Sequence, residues 1–329
     1  MRSRPALLLV AFLIGILAPL LAAHAQQPTN VPRVGFFRPA PPSPELARIL
    51  EAFKHGLREQ GYVEGQNVAV DVRFPASTAD RLSDIAAGLV RLKPDAIFAA
   101  ASSGIDAVRS ATAAIPIVAL DLETDPLASG IVLSLDRPGG NVTGIFLDFP
   151  ELGGKWLELV KEVAPKVSRV AVLWDPATGR VPLKGAEAAA PSLRLQLQVL
   201  EARGPGDFEA AFRAAIRARA GAMVTLSSPV FNTYRGLLVD LAVKHRLPAI
   251  MPFPLFAEDG GLIAYGPDLI ELYRQGGVMV GKILKGTKAR DLPVERPNRF
   301  VLVVNMKTAR TLGVTIPQSV LLRADRVIE

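Results

Sequence analysis

Two doubly wound α/β lobes with parallel sheets are the fold that this sequence predicts. Three observations carry the prediction. Short apolar runs alternate with helical patterns along most of the 329 residues. A second series of the same alternation starts near residue 152. The two series also open alike, on "RVGFFRPA" (33–40) and "RVAVLWDPA" (169–177). Each has Arg-Val, an apolar run, a polar residue and Pro-Ala, so the chain reads as one architecture built twice.

The first series starts with the short strand 33–37. In the segment 44–61, Leu46, Ile49, Leu50, Phe53 and Leu57 fall on one helical face, and Gly61 stops the helix. "NVAVDVRF" (67–74) alternates as a strand does, and 79–93 reads as a helix ended by Pro94. A strand at 96–101, a helix to about 113, and strands at 116–121 and 141–147 follow. Strands separated by helices pair in parallel through right-handed crossovers.

The second series runs helix 152–165, strand 169–175, helix 180–192, strand 195–202, helix 206–220, strand 222–228, helix 233–246 and strand 248–253. The tail adds a strand at 261–266, a helix at 268–286, a strand at 299–305 and a short helix at 306–313. A tail of this length, after both series are complete, implies more than one crossing between lobes. The expected division is 31–148 with about 263–288 in one lobe, and 149–262 with about 289–329 in the other. Within "RPGGNVTGIFLD" (137–148), Pro138 to Gly140 reads as a tight turn before a strand, and the joint between lobes is expected at 146–151.

Arg2 and Arg4, an apolar run from Pro5 to Ala23 and small residues at Ala23 and Ala25 make a secretory leader. Cleavage is expected after Ala25, releasing residues 1–25 and delivering the protein to the periplasm; a retained membrane anchor is the alternative. The net charge of +7 then falls to +5. With no cysteine there is no disulfide framework, thiolate metal site or lipidated cysteine. Basic residues are not clustered with aromatics, so no nucleic-acid partner is expected.

The motifs of catalysis fail. There is no G-x-G-x-x-G, no H-E-x-x-H and no G-x-S-x-G, and the phosphate-loop pattern breaks at Gly154-Lys155-Trp156. Asp121, Glu123 and Asp125 resemble the start of a calcium loop, but Pro126 and Val132 stand where glycine and glutamate are needed. No metal, cofactor or catalytic residue is expected. Ligand contacts of open α/β sheets cluster at the C-terminal ends of strands. The candidates there are Phe37 and Arg38, Ser102 and Ser103, Asp121, Trp174 and Asp175, Ser227, Tyr265, and Asp268. Ser102-Ser103 and Ser227-Ser228 also read as helix N-caps. Asp121 and Glu123 are the nearest candidates for an acid–base pair, and they are not expected to converge.

Taken together, "GLREQGYVEGQNVAVDVRF" (56–74), "IPIVALDLETDPLASGIVLSLDRPGGNVTG" (115–144), "RVAVLWDP" (169–176), "GGLIAYGPDL" (260–269) and "NMKTARTLGVTIPQSVLLRADRVIE" (305–329) resemble the substrate-binding proteins of ABC importers, in the tryptophan- and tyrosine-type branch. The resemblance implies a type I periplasmic-binding fold closing by a hinge, a small-molecule ligand, importer membrane subunits as partners, and a monomer. The sequence departs from that family at the pocket. "ASSGID" (101–106) replaces the usual Gly-Thr-Pro, Thr124 replaces a glycine, and Asp175-Pro176 replaces Asn-Pro.

The expected function is binding of a small polar or zwitterionic ligand, such as an aromatic or other amino acid. Ser102 and Ser103 would meet its anionic end, Asp121 or Asp268 its cationic end, and Phe37, Trp174 and Tyr265 its apolar part. An exported hydrolase-type enzyme and a sensor subunit of a membrane receptor are the alternatives.

Overall fold

The computed structural model describes residues 31–329 apart from Ser43, Thr78, Ala79 and Asp148. The leader and the centre of the expected joint, Asp148, therefore lie outside the described residues. Two sheets organise the chain. The first contains β1 (Arg33–Phe37), β2 (Ala69–Arg73), β3 (Ala96–Ala100), β4 (Ile117–Asp121) and β5 (Val142–Phe146), in the order β2-β1-β3-β4-β5 with every pair parallel. Its connecting helices are α1 (Pro44–Glu59), α2 (Leu82–Arg91) and α3 (Ser102–Ala111). β3, β4 and β5 are buried along their whole length, whereas β2, at the opposite edge from β5, is half-buried. A parallel sheet has helices on both faces, so its middle strands need unbroken apolar runs.

The second sheet repeats this plan. After α4 (Glu151–Val163) come β6 (Arg169–Trp174), α5 (Val181–Ala189), β7 (Gln196–Glu201), α6 (Pro205–Arg217), β8 (Ala222–Thr225), α7 (Pro229–Thr233), α8 (Arg235–Lys244), β9 (Ala249–Met251), α9 (Pro254–Glu258) and β10 (Ile263–Pro267). The strand order β7-β6-β8-β9-β10 matches β2-β1-β3-β4-β5 position for position. The two matching words of the sequence are thus β1 and β6, which hold equivalent places. In both sheets the strand order reverses beside that strand, and there the loops of an open sheet diverge to leave a crevice.

After β10 the chain returns to the first sheet. α10 (Leu269–Leu284) packs along α1 and against β3, β4 and β5. Glycines permit the close approach: a Cβ on Gly277 would sit 2.0 Å from the Phe53 carbonyl, and one on Gly56 1.9 Å from the Arg274 carbonyl. Glu295 then bridges to Ile145 beside β5. The chain goes back to the second sheet as β11 (Phe300–Asn305), α11 (Met306–Leu312), α12 (Gln318–Leu321) and β12 (Arg326–Ile328).

Three corrections follow. β10 belongs to the second sheet, so the boundary expected at 263 moves to the end of Pro267. The first unit also continues past 288, at least to Glu295. Finally, β11 pairs antiparallel with β10, from Ile263 opposite Val304 to Pro267 opposite Phe300. The detour through α10 brings the chain back from the other end of the sheet, so no right-handed crossover governs that pair. The short elements α9, α12 and β12 carry too few periodic residues to show in the sequence.

The segments that cross between sheets are held together by aromatic contacts. Phe149 lies 6.1 Å from Phe300, Tyr265 lies 6.0 Å from Phe300, and Arg296 stacks on Phe149 at 5.6 Å. The Trp156 indole donates to the Tyr265 carbonyl at 2.7 Å.

Candidate functional site

The loops after β1, β3, β4 and β8 meet between the sheets and enclose a cavity of about 30 Å³, room for about two waters. Arg38, the residue after β1, is buried and lines it. Its Nη2 donates across the cleft to Thr233 Oγ1 at 3.2 Å, while its Nη1 has no protein partner. Beneath it lies Tyr273, delivered by α10 and packed on Phe98 at 5.5 Å. Burial pushes the Tyr273 phenol up to about 12, so it remains a neutral hydrogen-bonding group. The return of the chain through α10 thus completes the floor of the cavity.

Glu123 lines the same cavity and is buried. The strand does not persist past Asp121. The chain turns, and Asp121 Oδ1 accepts from the backbone N–H groups of Glu123 at 3.0 Å and Thr124 at 3.2 Å. That turn folds Glu123 back beside Asp121, contrary to the expectation that the two diverge. The Ser227 hydroxyl, at the end of β8, donates to Glu123 Oε1 from the opposite lobe. Burial first, and then the Asp121 charge, hold the Glu123 carboxyl well above its ordinary value. Burial also raises Asp121, whose Oδ2 is unpartnered. Two buried carboxyls this close favour a shared proton.

A pH dependence follows. An acid whose folded pKa is raised stabilises the closed, ligand-free form while protonated. That contribution is complete below the ordinary value of 4.5 and is lost as pH rises through the raised value. The ligand-free protein is therefore expected to melt lower at pH 8 than at pH 5. Glu123→Gln should flatten this dependence and raise the melting temperature at pH 8 by a few degrees. Melting curves across pH check it; equal slopes for both proteins would contradict the assignment.

Ala101, at the start of α3, also lines the cavity, with φ 58° and ψ 154°. That conformation is close to glycine territory and costs an alanine about 1–3 kcal/mol. Ala101 rather than Ser102 takes the N-cap position, with no side-chain cap, which corrects the capping role read for Ser102. The Ser102 hydroxyl is buried and unpartnered. Strain and an orphan hydroxyl at one turn beside the cavity mark it as a place shaped for something other than stability.

The two lobes are clasped at a second place. Glu45, in the first turn of α1, is buried and pairs with Arg235 Nη1 of the other lobe at 2.7 Å. Arg235 Nε also pairs with Asp259 of its own lobe at 2.8 Å. Opening would leave Arg235 its own-lobe partner and strip Glu45 of its cation. Removing one member of a buried pair costs about 3–5 kcal/mol, and here most of that falls on the closed form. Arg235→Met is expected to weaken ligand binding at least tenfold, and Glu45→Gln less, because it leaves no buried charge. Calorimetric titration of both variants and of the pair checks this; additive effects would dissolve the clasp.

The other sequence candidates are spread more widely. Asp175 is buried near the cleft, accepting from Ser228 Oγ at 2.7 Å and the Ala177 N–H at 2.9 Å. Ser228 is a true N-cap, accepting from Val230 and Phe231. Ser103 and Asp175 line a neighbouring space rather than the cavity of Arg38. Phe37 lies in the core of the first lobe with Leu89, Ile97 and Ile105. Trp174 is buried under Arg180, which stacks on it at 5.1 Å. Tyr265 belongs to the aromatic group at the crossings. Asp268 is exposed, caps α10 through Ile270 and Glu271, and lines a separate groove. The structure thus brings Arg38 and Ser227 to the cavity, with Asp121 behind Glu123, and leaves Phe37, Trp174, Tyr265 and Asp268 away from it. Sequence reasoning missed Glu45, Asn232, Arg235 and Tyr273 as cleft residues, because all four sit in helices whose pattern reads simply as core and surface.

Two parallel α/β lobes with buried polar groups facing across a cleft are the plan of type I periplasmic-binding proteins. A family model described as ABC transporter substrate binding protein matches residues 42–328. The chain belongs to that family. A tyrosine-binding protein of Clostridioides difficile (strain R20291) is 26% identical over 272 residues, covering 82% of this chain and 77% of its own length. A conserved domain protein of Vibrio cholerae superposes with a TM-score of 0.82 at 26% identity, over 91% of this chain and 100% of that one. A Streptococcus pneumonia ABC domain solved in complex with L-Trp gives 0.80 at 25% identity, with the same coverage. The cavity of Arg38, Glu123 and Ser227 therefore lies in the inter-lobe cleft of an ABC substrate-binding protein.

Proposed function

We propose that this protein is the exported solute-binding subunit of an ABC importer and that it carries an amino acid between its lobes. The supporting observation is the pairing of opposite charges at one cavity. Arg38 offers an unpartnered N–H to a carboxylate, and Glu123, backed by Asp121, offers buried oxygens to an ammonium. An α-amino acid head group satisfies both, and its carboxylate would give the orphaned Arg38 Nη1 a partner. The relatives that bind tyrosine and tryptophan support the same class. The leader pattern in residues 1–25 supports export, and the joint expected at 146–151 supports closure by rotation of the lobes. The cavity as it stands is small, so the ligand enters an open form and is enclosed on closure.

A thermal-shift screen of the amino acids tests the reading. At a hundred times Kd, a ligand bound only by the folded state adds about 2.7 kcal/mol. The hits are expected to lose their effect as methyl esters and as N-acetyl derivatives. Stabilisation that survives both blocks would overturn the assigned head-group contacts.

A further inference from the structure

Beside the cavity of Arg38 lies a second space of about 190 Å³. The same loops build both. After β1, Arg38 faces the first and Pro39 the second; after β3, Ala101 faces the first and Ser103 the second. Pro229 borders both. The second space is therefore the outward continuation of the cleft. It is more than six times as roomy and has both polar and apolar lining, as the side-chain end of a ligand requires.

One group in that lining stands apart. The Asp175 carboxylate is 2% exposed. Each of its oxygens accepts one protein hydrogen bond, from Ser228 Oγ or the Ala177 N–H. Each keeps further lone-pair capacity. Among the described residues no cation lies within ion-pair distance of it; Arg203, the nearest to matter, acts only through space and pairs with Glu201 at 3.9 Å. A buried carboxylate without a cation is costly and gains strongly from an incoming donor.

Resting on the reading above, we propose that this outer space is a side-chain subsite, and that Asp175 selects amino acids whose side chains end in a hydrogen-bond donor. With the head group on Arg38 and Glu123, the side chain passes Pro229 and its terminal O–H or N–H donates to the Asp175 carboxylate. A site built around a buried acceptor rejects the isostere that lacks the donor, because the acceptor is then sealed away unpaired.

Matched pairs test it by calorimetric titration: L-tyrosine against L-phenylalanine, and L-lysine against L-norleucine. The donor-bearing member of at least one pair is expected to bind at least tenfold tighter. That ratio should fall towards one in Asp175→Ala, and Asp175→Asn should reduce it less. Circular dichroism and melting of both variants show whether they fold, and Gly206→Ala, outside both spaces and with nothing within 4 Å of the added Cβ, should keep the ratio. Equal affinity within both pairs, or a preference that persists in Asp175→Ala, overturns the proposal. If the amino acids bind equally and Arg38→Gln abolishes their binding, the head-group reading stands and only the subsite falls. If none binds, both fall.

Discussion

Arg38→Gln is expected to weaken amino-acid binding about 100-fold while leaving the fold intact. The guanidinium is buried, holds Thr233 of the opposite lobe through one nitrogen and keeps the other free at the cavity. A charge-assisted hydrogen bond contributes about 1.5–3 kcal/mol. A ligand carboxylate left without its cation in a closed cleft loses more, because water cannot replace the partner. Without ligand the balance differs: glutamine removes a buried charge whose hydrogen bonds are incomplete, so the melting temperature should move by only a few degrees. Arg38→Lys should recover part of the affinity, since a point charge reaches the carboxylate but cannot also hold Thr233 with the same fork. Titration and melting of the three proteins check this; a Gln variant that binds as tightly as the parent would remove Arg38 from the site.

Gly179→Val is expected to block closure. Gly179, in the loop after β6, packs on the opposite lobe: a Cβ there would lie 2.2 Å from the Glu123 carbonyl oxygen and 2.7 Å from its carbon. The obstacle is backbone at the very turn that presents Glu123, so no side chain can swing aside. Overpacking costs about 1–3 kcal/mol or more, which is roughly 10- to 100-fold in affinity. Separating the lobes removes this contact, so the variant should fold normally. Gly206→Ala is the control, because a Cβ there meets nothing within 4 Å. Small-angle scattering with and without ligand reads the outcome: the parent and the control contract, and Gly179→Val does not. Contraction of the variant to the parent's radius would contradict the contact.

The repeat was legible because buried parallel strands need unbroken apolar runs, and those are easy to see. "RVGFF" and "RVAVLW" were therefore found, and they occupy equivalent places beside the two points where strand order reverses. The position of Arg38 followed from that rule alone. Nothing local announces that Asp121 bends the chain by accepting two backbone N–H groups, so the return of Glu123 to its side does not show in the sequence. Glu45, Arg235 and Tyr273 lie on helices, where the pattern shows that a face is buried but not against which partner. Arg235 and Glu45 are 190 positions apart and meet only when the lobes do. Trp174 and Tyr265 illustrate the converse: aromatics at strand ends suggest pocket walls, but the first lies under Arg180 and the second stitches the crossings.

The central claim is that one cavity between the lobes holds both ends of a zwitterion. A crystal structure with the strongest amino-acid hit from the screen tests it most directly. The account predicts the ligand carboxylate on Arg38 Nη1 and its ammonium on Glu123, with the side chain towards Asp175. A ligand seated elsewhere, with Arg38 Nη1 still unpartnered, would contradict it.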